Sequence, residues 1–387
     1  MARESEKQPM PKAIIVGAAY RLERGGAREN LRTPTGSPTG AGLGLDPLAQ
    51  RLIESWVGDP DSLRKATVPL TIDQNQAIDG KKIRGTLTRD ENLNFRAAHW
   101  ADLHGLLYNA LAEDVFLWGH LFLSFSISDD KSCVKVKSKV LETGEIIETV
   151  GDLLVAADGC LSAIREHFLP DLQLRYSGYC AWRGVLDFSE NENSETIQGM
   201  RRAYPDLGKY GYCSPENWNQ GKSVTMKVSS DMIEKMHQEA EMAWAPELVR
   251  VMKETKEPFL NAIYDCDPLE QIFWDNVVLI GDAAHPTTPH GLRSTNMSVL
   301  DAAVLGKCLE KWGVENLSSA LEEYQSTRLP VTSKQVLHAR RLGRLKQGLI
   351  LADREPFDPK TASLEDCEEL QQKNMPFFAD IPLPLNS

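Results

Sequence analysis

Twice in this chain a short apolar run ends on an acid, turns on a glycine and gives way to a helical pattern. The later instance spans residues 274–309. Val277, Val278, Leu279 and Ile280 form a β-branched-rich run, the composition of a strand buried on both faces. Gly281 and Asp282 stop it, and a segment rich in Pro, Thr, His and Gly follows as a loop. From Asn296 onward Met297, Leu300, Val304, Leu305 and Leu309 make the apolar stripe of a helix. The earlier instance runs from Leu153 through Asp158, Gly159 and Ser162 to Arg165. Strands of this kind belong to a parallel sheet. Such sheets bind ligands outside their carboxyl ends, where a helix N-terminus also favours negative charge. Asp282 is therefore placed to accept hydrogen bonds from ribose-type or ribityl hydroxyls. An ordinary strand–loop–helix with Asp282 as a helix cap would carry the same local pattern.

The totals exclude several classes. A net charge of −12 over 387 residues argues against a nucleic-acid partner. No apolar run approaches the roughly 20 residues a bilayer span requires. The N-terminus, MARESEKQPMPK, reads as neither a signal nor a transit peptide. Seven scattered cysteines, without a C-x-x-C pair, give no zinc pattern. They fit reduced thiols in a cytoplasmic compartment.

Taken in order, residues 12–17 read as a strand ending on Gly17, the start of a Rossmann-type unit. A G-x-G-x-x-G turn and an apolar helix should follow. Instead Ala19 stands at the second glycine position, and Arg21, Glu23, Arg24, Arg28, Glu29 and Arg32 make a charged segment. A charged segment cannot cover a sheet face, so part of that face is expected to lie open. Residues 35–44 are glycine-rich, with Gly40, Gly42 and Gly44; such backbone can pass close to a flat ligand or serve as a linker. Pro47 to Val57 reads as a helix, as does Arg96 to Leu111 with Leu103, Leu106, Leu107 and Leu111 inward. Three strands are expected at 122–127, 134–140 and 145–150. Asp231 with Glu234 reads as the cap of a Met- and Trp-striped helix that Pro246 ends. Helices are expected at 317–324 and 331–348. The second carries His338, Arg340, Arg341, Arg344 and Lys346 as a solvated or dimer face. Residues from Asp353 on read as a loosely packed tail.

The string G-D-A-A-H-P, then Pro289-x-Gly291, Asn296 and Asp301-Ala302, resembles the second FAD motif of the single-component flavin hydroxylases, which share the fold of p-hydroxybenzoate hydroxylase. Asp158-Gly159 with Ser162 and Arg165 resembles that family's D-G motif, which supports both FAD and the passage of NAD(P)H. The resemblance covers most of residues 33–350. It implies an α/β fold: a discontinuous Rossmann-type FAD-binding domain with an inserted α+β substrate domain. The FAD domain would comprise residues 1–174, degenerate at 17–34, and 274–350. A shortened substrate domain would span 175–273 and a tail 351–387. The substrate segment is most similar to the dihydroxypyridine, hydroxynicotinate and salicylate hydroxylases and their plant homologues.

Carried over residue by residue, the resemblance implies cofactor contacts at Gly17, Gly40, Gly42, Asp158, Gly159, Arg165, Gly281, Asp282, Pro289, Gly291 and Asn296. Trp100 stands where the family has a phosphate-side arginine, and Arg96, one turn earlier, would substitute for it. Tyr179 and Arg183 lie where a strand would run to substrate. The implied reaction is hydroxylation of an aromatic or similar small ring with NADH or NADPH and O2. The cofactor carries the hard chemistry, so no nucleophilic residue is required, and no Ser–His–Asp or Cys–His pattern is present. Two alternatives stay open: a flavin oxidoreductase that does not hydroxylate, and a truncated, inactive homologue whose damaged first crossover impairs FAD binding. A homodimer is compatible with either.

Overall fold

A computed structural model describes residues 12–17, 42–79, 82–112, 115–186, 188, 192–204, 225, 226 and 228–371. The charged segment after Gly17, Gly40, residues 208–223 and the tail beyond 371 lie outside the described residues. Along the chain come β1 (Ala13–Val16), β2 (Gly42–Leu45), α1 (Pro47–Val57), α2 (Pro60–Ala66), β3 (Thr67–Leu70), β4 (Asp73–Asp79), β5 (Lys82–Asp90), β6 (Phe95–His99) and α3 (Trp100–Tyr108). Next are β7 (His120–Ile127), β8 (Val134–Val140), β9 (Ile146–Gly151), β10 (Leu153–Ala156), α4 (Ala163–Phe168) and β11 (Arg175–Arg183). Then follow α5 (Glu195–Ala203), β12 (Thr225–Met226), α6 (Ser230–Ala243), α7 (Pro246–Glu254) and β13 (Phe259–Asp265). Last come β14 (Phe273–Trp274), β15 (Val277–Leu279), α8 (Ser294–Trp312), α9 (Leu317–Lys346) and α10 (Leu364–Glu368).

The central sheet has the order β1-β10-β15-β14 among the described residues. β1 pairs in parallel with β10, and β10 in parallel with β15, although the three are far apart in sequence. Every residue of β10 and of β15 is buried, as their unbroken apolar composition requires. β1 is different. Among the described residues it is an edge strand, and Ile15 is 60% exposed. Helices α8 and α9 pack on the sheet through Val304, Leu305, Cys308, Ala320, Leu321 and Tyr324. Tyr324 donates from its hydroxyl to the carbonyl of Leu279 at 3.1 Å, tying α9 to the end of β15. The meander β7-β8-β9 forms a separate antiparallel sheet, close to its sequence-derived bounds.

Five sequence expectations are corrected. Residues 96–111 are not one helix. Phe95–His99 is the middle strand of the sheet β2-β6-β3, and the helix begins at Trp100. Pairing on both edges, with Phe95 and Ala98 buried, outweighs a helical pattern that local propensity states only weakly. Leu111 falls beyond the helix and is exposed. The helix at 230–243 is capped by Ser229, which accepts from the Met232 amide, not by Asp231. Met236 and Ala240 are its buried positions, Met232 is exposed, and Pro246 opens α7.

The other three concern the C-terminal part. The helices expected at 317–324 and 331–348 are a single 30-residue helix that contains Pro330. An interior proline costs about 3 kcal/mol. The helix buries eleven residues from Ala320 to Leu345, and apolar burial at about 1.5–3 kcal/mol per large side chain exceeds that cost. Nor is the basic face of α9 simply solvated. Arg340 reaches Asp265 at 2.9 Å and Asp267 at 2.6 Å, while Arg341 bonds Asp353 and Glu369. Those last contacts also show that residues 353–371 are packed: Arg354 bonds Asp366, Ser363 and Asp366 make a capping box on α10, and Leu370 is buried against Leu342 and Leu345.

Asp265 is fully buried and receives Arg175 from its own sheet as well as Arg340 from α9. Its removal takes a buried carboxylate from two guanidinium groups, Arg340 keeping Asp267 and the Cys266 carbonyl, and should cost about 1.5–3 kcal/mol. Asp265→Ala is therefore expected to lower the urea midpoint sharply, and a shift within error of zero would refute this tie.

Candidate active site

The two acid-bearing turns stand side by side. Ile280 donates its amide to the Ala156 carbonyl at 3.0 Å, and Ala157 donates to Val16 at 2.8 Å, so β1, β10 and β15 end together. Gly159, at φ +80, turns the chain after Asp158. Asp158 Oδ2 accepts from the amides of Ala163 and Ile164 at the start of α4, and Ser162 Oγ accepts from Arg165. Asp158 Oδ1 is buried with no hydrogen-bond partner. Beyond β15, Gly281 at φ +58 begins a short 3-10 turn in which Asp282 Oδ1 accepts from Ser294 Oγ at 2.7 Å.

Arg165 is buried and lies between the turns. Its Nη1 donates to the carbonyls of Asp282 at 3.2 Å and Ala283 at 2.8 Å, and its Nη2 donates to that of Cys160. The side chain expected to meet cofactor is thus spent on locking one motif to the other. Gly17 closes the same corner. A Cβ there would lie 2.3 Å from the Ala157 carbonyl oxygen, so only glycine lets β1 end against the Asp158 turn.

A second group of expected residues gathers at the start of α8. Asn296 is fully buried; its Oδ1 accepts from the Asp46 amide, and its Nδ2 donates to the carbonyls of Gly44 and Leu292. Its side chain therefore fastens β2, which carries Gly42, to the loop containing Pro289 and Gly291. Arg293 and Asp46 form a buried ion pair of 2.9 Å beside it, with the guanidinium 4.8 Å from the Phe95 ring centre. Ser294 links this group to Asp282. Arg96 belongs to neither group. It sits on β6 and donates to Thr67 and to the Arg64 carbonyl in the α2–β3 corner, where its guanidinium is a structural tie.

Sequence reasoning passed over His290, between Pro289 and Gly291. Tyr179 of β11 lies with its hydroxyl 3.4 Å from His290 Nδ1 and its ring edge-on at 5.5 Å, so a second sheet, of order β11-β13-β12, meets the loop here. Thr288 Oγ1 donates to the Ala339 carbonyl and is 3.1 Å from His290 Nδ1. Two hydroxyl oxygens, those of Thr288 and Tyr179, thus meet the same imidazole nitrogen. Burial, reinforced by Lys346, pushes the His290 pKa down to about 4. The visible signal was only a histidine inside the Pro-x-Gly turn.

Comparison with known proteins places this geometry. A signature described as FAD binding domain matches residues 221–339. The 6-hydroxynicotinate 3-monooxygenase of Bordetella bronchiseptica is 25% identical over 357 residues, 84% of this chain and 90% of that protein. The aurachin C monooxygenase/isomerase of Stigmatella aurantiaca is 29% identical over 259 residues, and the match spans 64% of each chain. The structure of 2,6-dihydroxypyridine-3-hydroxylase from Arthrobacter nicotinovorans superimposes with a TM-score of 0.65 at 18% identity, over 86% of this chain and 88% of that one.

The chain is similar to monooxygenases and carries an FAD-binding domain signature. Its cofactor is FAD, and a nicotinamide nucleotide is the reductant typical of the family. The described residues fit FAD at the strand ends: Asp158 Oδ1, unpartnered among them, and the Asp282 carboxylate, engaged by one hydroxyl, are acceptors suited to ligand hydroxyls. The turn that would meet the pyrophosphate lies outside the described residues. No helix among them is long and apolar enough to cross a membrane.

The depressed pKa of His290 has a signed consequence. Between pH 6.5 and about 4 the unfolded chain binds a proton that the folded His290 refuses, so stability falls as pH falls through that window and is unaffected by this group above it. His104 and His338, lowered by burial too, add in the same direction. His290 alone accounts for at most about 3 kcal/mol by pH 4. Urea midpoints measured from pH 7.5 to 4.5 should drop more steeply in the unmodified protein than in His290→Gln; equal slopes would refute the assignment.

Proposed function

We propose that this chain hydroxylates an aromatic or similar small ring, using FAD, NADH or NADPH, and O2. The observation that carries the reading is the pair of acid-bearing strand ends, Asp158 and Asp282, locked together at the carboxyl edge of a parallel sheet with the start of α8 facing them. Asp282 would accept from the ribityl hydroxyls, with Asp158 supporting it. Gly17, Gly159, Gly281, Pro289 and Gly291 would let backbone approach the cofactor. When bound, FAD supplies the oxygen-activating chemistry. This chain's own residues orient the ring and exclude water. Tyr179 and His290 lie where β11 meets the Pro-x-Gly loop, and neutral His290 Nε2 would hydrogen-bond to a ring hydroxyl. Arg96, Arg165 and Asn296 hold these parts in place. The named relatives suggest hydroxylated nitrogen heterocycles as the first substrates to test, among them 6-hydroxynicotinate and 2,6-dihydroxypyridine. The scattered cysteines, without a C-x-x-C pair, favour a reducing, cytoplasmic setting.

A second reading, weakened FAD binding, is favoured by the open edge strand β1 with its exposed Ile15. The visible spectrum of the purified protein, with and without added FAD, separates the two readings. Product formation with these rings, rather than hydrogen peroxide release alone, then separates a hydroxylase from an oxidase.

The two acids should respond differently to removal. Asp282→Ala is expected to weaken FAD binding by roughly 1.5–3 kcal/mol, the cost of losing a charged acceptor. Asp158→Ala should weaken it less, and should lower thermal stability by about 1 kcal/mol through loss of its bonds to the first α4 amides. Fluorescence titration showing equal or reversed affinity losses would refute the ordering.

A further inference from the structure

Behind the Asp282 turn lies a buried charged cluster that none of the preceding roles uses. Asp301 of α8 is 1% exposed, and Arg328 of α9 is fully buried. One oxygen of Asp301, Oδ2, accepts from the Gly281 amide at 2.8 Å and from His285 Nε2 at 2.6 Å. The other, Oδ1, accepts from Arg328 Nε at 2.8 Å. Burial alone would raise the Asp301 carboxyl, yet His285 and Arg328 hold it below the ordinary range. A charge in such a place is costly unless it is fully bonded, and its bonds converge on a single backbone feature. Gly281 is left-handed, and a Cβ on it would meet Ser298 Oγ at 2.8 Å. In that conformation the Gly281 N–H meets Asp301, and the next residue, Asp282, accepts from Ser294. The Gly281 carbonyl accepts from Ala284 and His285, so His285 is tied to the turn by backbone and side chain alike.

We propose that Asp301 is a positioning residue for the acid-bearing turn. By holding Gly281 and His285 on one oxygen and Arg328 on the other, it sets where Asp282 presents its carboxylate. The consequence for cofactor rests on the flavin reading above; the consequence for the turn does not.

Two measurements test this. Hydrogen exchange over residues 279–287 should show protection in the unmodified chain, loss of it in Asp301→Asn and retention in Asp282→Ala. FAD titration should show Asp301→Asn weakening binding by about tenfold in the native background and less than about twofold in the Asp282→Ala background, since residues acting through one another are non-additive. A general loss of structure would not produce that coupling. Should Asp301→Asn alone fail to fold because Arg328 is left unpaired, Asp301→Asn with Arg328→Met removes the stranded cation and is measured against Arg328→Met. Unchanged exchange at 279–287, or additive losses of FAD affinity, would overturn the proposal. If the unmodified chain binds no FAD, the flavin reading fails, and the exchange measurement still decides whether Asp301 holds the turn.

Discussion

Arg165 carries the arrangement of the whole site. Its guanidinium is buried and surrounded by carbonyl oxygens from both acid-bearing turns. A guanidinium removed from water must find acceptors for its fixed fork of donors. Here those acceptors exist only when β10 and β15 are adjacent and their turns complete. The two motifs are 124 residues apart, counting from Asp158 to Asp282, yet each supplies part of the other's polar satisfaction. The parallel pairing of β10 with β1 and β15 brings the ends together, and Arg165 penalises any shift between them.

The second sheet is attached by the same kind of device. Asp265 lies at the end of β13, inside the protein, and draws Arg175 from β11 and Arg340 from α9 to one carboxylate. This fixes the strand that carries Tyr179 relative to the helix whose Gly343 sits against His290; a Cβ on that glycine would come within 2.8 Å of the imidazole. The placement of His290 against Tyr179 therefore depends on ion pairs well away from it. Helix α9 serves three regions at once: Tyr324 at β15, Arg328 beneath the Asp282 turn and Arg340 at β13. Continuity through Pro330 matters because a break there would uncouple these contacts.

The open edge of the central sheet is the feature least like a complete dinucleotide-binding unit. β1 is paired on one side among the described residues, and Ile15 faces outward. Apolar surface on an edge strand is a liability that proteins ordinarily cover.

The two strand–acid–turn motifs were legible from sequence because their signals are local. An unbroken apolar run, an acid and a glycine suffice, and the strands at 153–156 and 277–279 fall inside the predicted runs. The helix at 47–57 was equally legible, from Pro47 and its apolar spacing. What sequence could not decide was which polar side chains would face ligand and which would face protein. Arg96, Arg165 and Asn296 are of suitable type and spacing for a cofactor, yet their partners are Thr67, Ala283 and Gly44. The same holds for Arg340, which composition assigns to a surface and Asp265 draws inward, and for the strand at 95–99, which reads as helix until β2 and β3 pair with it. Local pattern determines where backbone can be buried, because burial of apolar side chains follows the chain's own period. The fate of a charge depends on acceptors brought from elsewhere in the chain, and only tertiary structure brings them.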